Sequence, residues 1–309
     1  MDTLLQQIIN GLTLGSVYAL VALGYTMVYG IIGLINFAHG ELVMVGALMA
    51  LSVIKGLAEA RLGLPPAVLM MAGLLVAMPL GMLLAMIMER VAYRPLRGAP
   101  RLAPLITAIG VSIVLQNIAM MIWGRSYFSF PAVMSITTYE FLGATITDLQ
   151  ILIVGLAAAL MGGLLWIVHR TRLGLAMRAT SQNLQVAALM GVNADRIIVA
   201  AFVIGAALAA VAGLMVSAYY GIAHYYMGFM LGLKAFTAAV LGGIGNLAGA
   251  MLGGLLLGLI EALGAGYIGD LTGGVFGSNY QDVFAFLVLI GVLIVRPSGL
   301  LGDKSVDRS

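Results

Sequence analysis

Long apolar runs, most of them near membrane-spanning length, limit most severely what this chain can fold into. They cover residues 4–29, 42–53, 67–88, 102–123, 151–168, 197–219, 229–241, 247–263 and 283–295. A hydrocarbon core of roughly 30 Å takes about 20 residues of helix to cross. The runs are continuous, whereas a membrane barrel would show short alternating strands. Only 9% of residues are charged, against about a quarter in soluble domains, and the mean hydropathy is +1.10. These features predict an all-α polytopic membrane protein of about eight apolar segments, with 229–241 and 247–263 forming one broken or re-entrant pair. Asp2 precedes the first run without any basic residue. A cleaved leader would want a positive flank, so the first run is expected to remain as a helix.

The runs are interrupted at a costly place. Gly30-Ile-Ile-Gly-Leu-Ile-Asn-Phe-Ala-His-Gly-Glu41 places three glycines with Asn36, His39 and Glu41 between two apolar segments. Polar side chains and loosened backbone at membrane depth are tolerated only against protein or a water-filled path. The pattern recurs: Gly33-Leu-Ile-Asn-Phe-Ala38 aligns with Gly243-Ile-Gly-Asn-Leu-Ala248. A second marker follows each break, Arg94-Pro95 after the third span and Arg296-Pro297 after the last. Two parallel-oriented repeats, roughly 1–100 and 197–300, are therefore expected within one transmembrane domain covering 1–309. Repeats of this kind place a substrate path at their interface.

Loop charge sets the orientation. Arg90, Arg94, Arg97 and Arg101 crowd one connection, and Arg170, Arg172, Arg178 and Arg196 another; Lys304 and Arg308 mark the tail. These are expected on the cytoplasmic side, with the N-terminus, 56–65 and 124–150 outside. The tail rejoins the cytoplasm only if 229–266 enters and leaves on the outer side.

Energising chemistry is missing from the sequence. No Gly-x-x-x-x-Gly-Lys-Ser/Thr, His-Glu-x-x-His or Gly-x-Ser-x-Gly occurs, and there are no cysteines. Catalytic, cofactor and metal residues are expected to be none in this chain. The second basic loop offers a place for energy to arrive. In 174–196 the residues Leu184, Val186, Ala187, Ala188, Leu189 and Met190 are too many apolar groups for a solvated loop. They predict a small helix buried against a partner, capped by Thr180 or Ser181 and ended by Gly191.

That loop resembles the coupling loop of importer permeases driven by ATP-binding-cassette subunits. More narrowly, the chain resembles the LivH-type branched-chain amino-acid permeases in 24–41, in Glu89-Arg-Val-Ala-Tyr-Arg-Pro95, in 234–245 and in Arg296-Pro-Ser-Gly-Leu-Leu-Gly302. Val186 stands where many importers have the Glu that opens the coupling motif. The resemblance implies a bacterial inner-membrane subunit without its own ATPase site. It implies a heterodimer with a second related permease, two cytoplasmic ATPases carrying ATP and Mg, and a periplasmic amino-acid-binding protein. The cargo implied is leucine, isoleucine, valine or related amino acids. Alternatives are urea or short amides on the same machine, or a stand-alone channel or proton-coupled carrier, which would need titratable residues such as Glu261 mid-span.

Candidate coupling residues are Arg178, Ala179, Asn183, Leu184, Ala187, Ala188, Gly191 and Asn193. Candidate path residues are Asn36, His39, Glu41, Thr237, Asn246 and Glu261. Each has a plainer role beside it. The asparagines can satisfy backbone groups freed at the breaks, and Glu41 can sit as an interfacial cap at a helix N-terminus. Glu261 should be neutralised or paired if it faces inward. Lys234 is expected as an outer-interface anchor with its stem along apolar surface, Gln116 and Asn117 as interhelical glue, and Tyr219, Tyr220, Tyr225 and Tyr226 as an aromatic belt.

Overall fold

Two interruptions of the backbone, at 33–38 and 243–246, organise what the apolar runs become. The computed structural model describes residues 2–302 apart from 62, 101, 132–136, 274, 276, 278 and 279. Arg101, Lys304 and Arg308 lie outside the described residues. In order, the helices are α1 (Asp2–Ile32), α2 (His39–Glu59), α3 (Pro66–Met88), α4 (Leu102–Trp123), α5 (Asp148–Arg170), α6 (Arg172–Gln182), α7 (Leu184–Leu189), α8 (Ala194–Tyr220), α9 (Met227–Gly242), α10 (Leu247–Leu271) and α11 (Gln281–Val295). Among the described residues, 7 helices are long and apolar enough to cross a membrane, and Met227–Gly242 and Gln281–Val295 are shorter apolar helices. The chain is thus an all-α polytopic membrane protein. Among the described residues there are also four short strands: β1 (Phe128–Ser129), β2 (Thr138–Phe141), β3 (Ala144–Thr147) and β4 (Ile222–Ala223). β2 pairs antiparallel with β3, and Leu142 and Gly143, both at positive φ, make the turn between them.

The chain divides into two compact units. The first comprises Met27–Ser135 and Gly162–Leu233. At its centre α2, α3 and α8 meet through small residues. A Cβ on Gly46 would strike the backbone of Ala210, one on Gly213 the backbone of Val43 and Ala47, and one on Gly73 the Ala50 carbonyl and Ile54. Close backbone approach replaces the solvent-driven packing that lipid cannot supply. The large side chains of α3 and α4 left outside, such as Leu75, Leu83, Ile106 and Met121, are apolar, as hydrocarbon requires. One end of this unit is marked by the Trp123 indole donating to Ser52 Oγ (2.8 Å), by Lys55 over the Phe128 ring (5.2 Å) and by the β1–β4 pair. The other end carries both arginine-rich connections.

The second unit comprises Met1–Thr26, Ile136–Met161 and Lys234–Ser309. Here α10 runs antiparallel to α1: Gly266 meets Gln7, Gly258 meets Gly11 and Gly15, and Gly254 meets Ala19. α9 folds back on α10 where Gly242 meets Gly249 and Gly253 meets Ala238. At 16 residues, α9 is about 24 Å long, short of a full crossing. The turn at its end uses Gly243 and Gly245 at positive φ, and the tail pins it through Leu300 N to Leu241 O and Leu301 N to Gly242 O (2.9 Å each). The expected broken pair is therefore a helical hairpin.

The first break is narrower than its glycines predict. α1 runs through Gly30 to Ile32 and stops at Gly33, whose φ of +65° suits the position after a helix end.

Candidate translocation and coupling sites

Three of the six path candidates fall in the first unit, where the break delivers them to the start of α2. The Asn36 carbonyl accepts from His39 N (3.0 Å), so the chain re-enters helix at once. Asn36 and His39 are both buried. Asn36 Oδ1 accepts from the Tyr93 hydroxyl (2.5 Å), while its Nδ2 has no hydrogen-bond partner among the described residues. Glu41 lies in the first turn of α2, where the helix field favours a carboxylate. It is 0% exposed, however, so it is no interfacial cap. Ser112 Oγ and Gln116 Nε2 both donate to Glu41 Oε1 (2.8 Å each), and Gln116 Nε2 also reaches Ser112 Oγ (3.1 Å). Glu41 Oε2 has no hydrogen-bond partner among the described residues. It faces Gly228, where an added Cβ would lie 2.8 Å from it.

The other three belong to the second unit and do not form one cluster. Asn246 acts locally: its Oδ1 accepts from Gly249 N (3.0 Å) and its Nδ2 donates to Leu301 O (2.8 Å). Both ends of the amide are engaged in capping α10 and holding the tail. Thr237 is buried in α9. Glu261 lies fifteen residues beyond Asn246, about 22 Å along the helix. Lys234 is 14% exposed and turned inward, which corrects the expectation of an outer anchor. Its Nζ is 2.5 Å from Glu261 Oε1 and 2.8 Å from Asp282 Oδ1, and 5.7 Å from the centre of the Tyr18 ring. A buried cation needs such partners. Glu261 is thus paired, as an inward-facing carboxylate has to be. Asp282 and Tyr18 escaped the sequence reading, because charge complementarity between elements leaves no spacing to read. Ser112 with Gln116 left a faint signal, two polar residues one helical turn apart in an apolar run.

The coupling candidates follow α5. Thr171 Oγ1 accepts from Gly174 N (3.1 Å) and caps α6. Thr180 and Ser181 do not cap the next helix; both continue α6 and donate back to Ala176 O and Arg178 O. The cap is Asn183, extended in backbone, whose Oδ1 accepts from Gln185 N and Val186 N (3.0 Å each). Asparagine wins because its carboxamide reaches the orphan N–H groups that follow it. Gly191, at φ +86°, ends the turn, and Asn193 Oδ1 accepts from Arg196 N (3.1 Å) to start α8. α7 turns only Ala187 inward (3% exposed), leaving Leu189 86% and Met190 81% exposed. Leu184, Val186, Ala188 and Arg178 are exposed too, and Ala179 is half-buried. Among the described residues no group of three or more His, Asp or Glu side chains could hold a metal ion.

The family model described as "Branched-chain amino acid transport system / permease component" matches residues 7–293. The chain is 48% identical over 308 residues to the high-affinity branched-chain amino acid transport system permease protein BraD of Pseudomonas aeruginosa, covering 98% of this chain and 97% of that one. It is 45% identical over 309 residues to the corresponding LivH protein of Escherichia coli, again covering 98% and 97%. A probable LivH of Methanocaldococcus jannaschii is 28% identical over 286 residues, covering 92% of this chain and 88% of its own. The chain belongs to the family of branched-chain amino acid transport permease components.

Proposed function

We propose that this chain is the membrane conduit of an ATP-binding-cassette importer for leucine, isoleucine, valine or related amino acids, with no catalytic site of its own. It works beside a second related permease, two cytoplasmic ATPases that carry ATP and Mg, and a periplasmic binding protein. The supporting observation is α7: a six-residue helix, capped at both ends, that presents Leu184, Val186, Leu189 and Met190 outward. Apolar side chains on a helix too short to enter a membrane call for a protein cover. The two arginine-bearing connections share one end of their unit, and that end is cytoplasmic by loop charge. The order helix, break, helix, helix, Arg-Pro occurs twice, as α1–α3 with Arg94-Pro95 and as α9–α11 with Arg296-Pro297. It supports the reading of two parallel repeats.

The test is to purify the full complex through this subunit, reconstitute it in vesicles and supply the binding protein. ATP-dependent accumulation of radiolabelled leucine is expected. Leucine uptake without nucleotide would overturn the importer, and transport confined to urea or amides would overturn the substrate.

A further inference from the structure

The motif Glu89-Arg-Val-Ala-Tyr-Arg-Pro-Leu-Arg97 has no part in the function so far. Its geometry is unusual. α3 gives way to a π turn (Glu89–Tyr93) and then a 3-10 turn (Arg94–Leu96), in which Pro95 has no N–H to donate. π turns of this sort recur at functional positions. Glu89 and Tyr93 are both buried. The Tyr93 ring packs on Phe202 of α8, centroids 5.3 Å apart, and its hydroxyl donates to Asn36 Oδ1 (2.5 Å) in the break between α1 and α2. Arg97 holds two acids: Nη2 pairs with Glu89, and Nη1 donates to Asp195 Oδ1 (2.5 Å). Arg94 pairs with the second oxygen of Asp195.

Asp195 sits in the first turn of α8, immediately after the coupling segment. The joint between α7 and α8 is closed by Met190 N to Val186 O (3.1 Å), Val192 N to Ala187 O (3.0 Å) and the Asn193 cap. Ion pairs join Asp195 to Arg97 and Arg97 to Glu89, and a hydrogen bond joins Tyr93 to Asn36; the backbone of the π turn Glu89–Tyr93 connects the two sets, and Asp195 follows α7 directly along the chain. The exposed Arg94–Asp195 pair adds little to stability, so the geometry it imposes on the start of α8 is the better account of it. Paired polar groups on rigid turns can carry a displacement.

We propose that Arg97 and Tyr93 are positioning residues that pass a displacement of α7, driven by a partner subunit, to Asn36 and the α1–α2 break. This rests on the coupling role of α7. The hydroxyl of Tyr93 is the last link, and the half-buried Leu34 in the break is the place to read it.

The chain has no cysteine, so Leu34→Cys supplies a single labelling site in this subunit, read on the separated subunit after labelling of the reconstituted complex. Maleimide labelling of that site is measured without nucleotide and with ATP, alongside leucine uptake and ATP hydrolysis. In the otherwise unaltered complex labelling changes with ATP. Absence of ATP-driven uptake would bring down the importer reading itself, whereas ATP-driven uptake without the labelling change would overturn the relay alone. Tyr93→Phe keeps the ring on Phe202 and removes the hydroxyl. Leucine carried per ATP falls roughly three- to tenfold, the labelling change shrinks, and ATP hydrolysis stays within about twofold. Asp195→Asn acts the same way, and Asp195→Glu restores coupling. An intact labelling change with unaltered leucine per ATP in Tyr93→Phe overturns the proposal. So does an equal loss of uptake and hydrolysis with less protein in the membrane, which marks a structural role.

Discussion

Single side chains explain why so hydrophobic a chain keeps any charge in its spans. Lys234 bridges Glu261 and Asp282, and removing it strands a buried carboxylate. Lys234→Met should cost about 3–5 kcal/mol, read as a lower thermal midpoint in detergent. The double variant Lys234→Met with Glu261→Met should recover most of that loss. Gly228 is fixed for a different reason. A side chain there meets Gly40 O and Glu41 Oε2, so Gly228→Leu should prevent accumulation of folded protein, measured by monodisperse yield. The sequence announced Glu41 and Glu261 because a carboxylate in an apolar run stands out. It did not announce their partners, since Ser112, Lys234 and Asp282 sit on other elements. Asn246 was legible as a break residue. Its hold on a tail carbonyl 55 residues away was not.

At the scale of elements, α7 is where sequence and structure agree most usefully. Its apolar excess was visible because loops seldom carry one, but its boundary was misplaced. Thr180, Ser181 and Asn183 are all competent caps by type, and only the end of α6 decides among them. Asn183→Ala removes two hydrogen bonds to the first turn and should cost about 1 kcal/mol of local helix stability, seen as faster amide exchange at Gln185 and Val186. Ala188→Arg or Gly191→Trp should leave the protein in the membrane and abolish ATP-driven leucine uptake; undiminished uptake would remove the coupling assignment. The first break shows the opposite error. Gly30 suggested an early stop, yet a glycine inside a well-packed helix costs only about 1 kcal/mol, and α1 runs on to Gly33.

For the whole molecule, class and span number were legible because hydrocarbon forces backbone into helix whatever the side chains are. How the segments partition into two units was not. That division depends on glycine contacts such as Gly46 against Ala210 and Gly15 against Leu255, and one glycine looks like another in sequence. Sidedness gives a direct check. Glu140→Cys in β2 should react with an impermeant maleimide in intact spheroplasts, and Ser181→Cys only after permeabilisation. The reverse pattern would invert the topology.

The strap formed by Leu300 and Leu301 has a bearing on biogenesis. Carbonyls at the tip of the α9–α10 hairpin receive their donors from Leu300 and Leu301, which the ribosome delivers only after all of α11. At a synthesis rate of about 5–20 residues per second, the hairpin waits several seconds with its tip unsealed. For that interval α9 and α10 are held by their glycine contacts and the Lys234–Glu261 pair, and a nascent chain stalled before Leu300 would present an open tip to the quality-control proteases of the membrane.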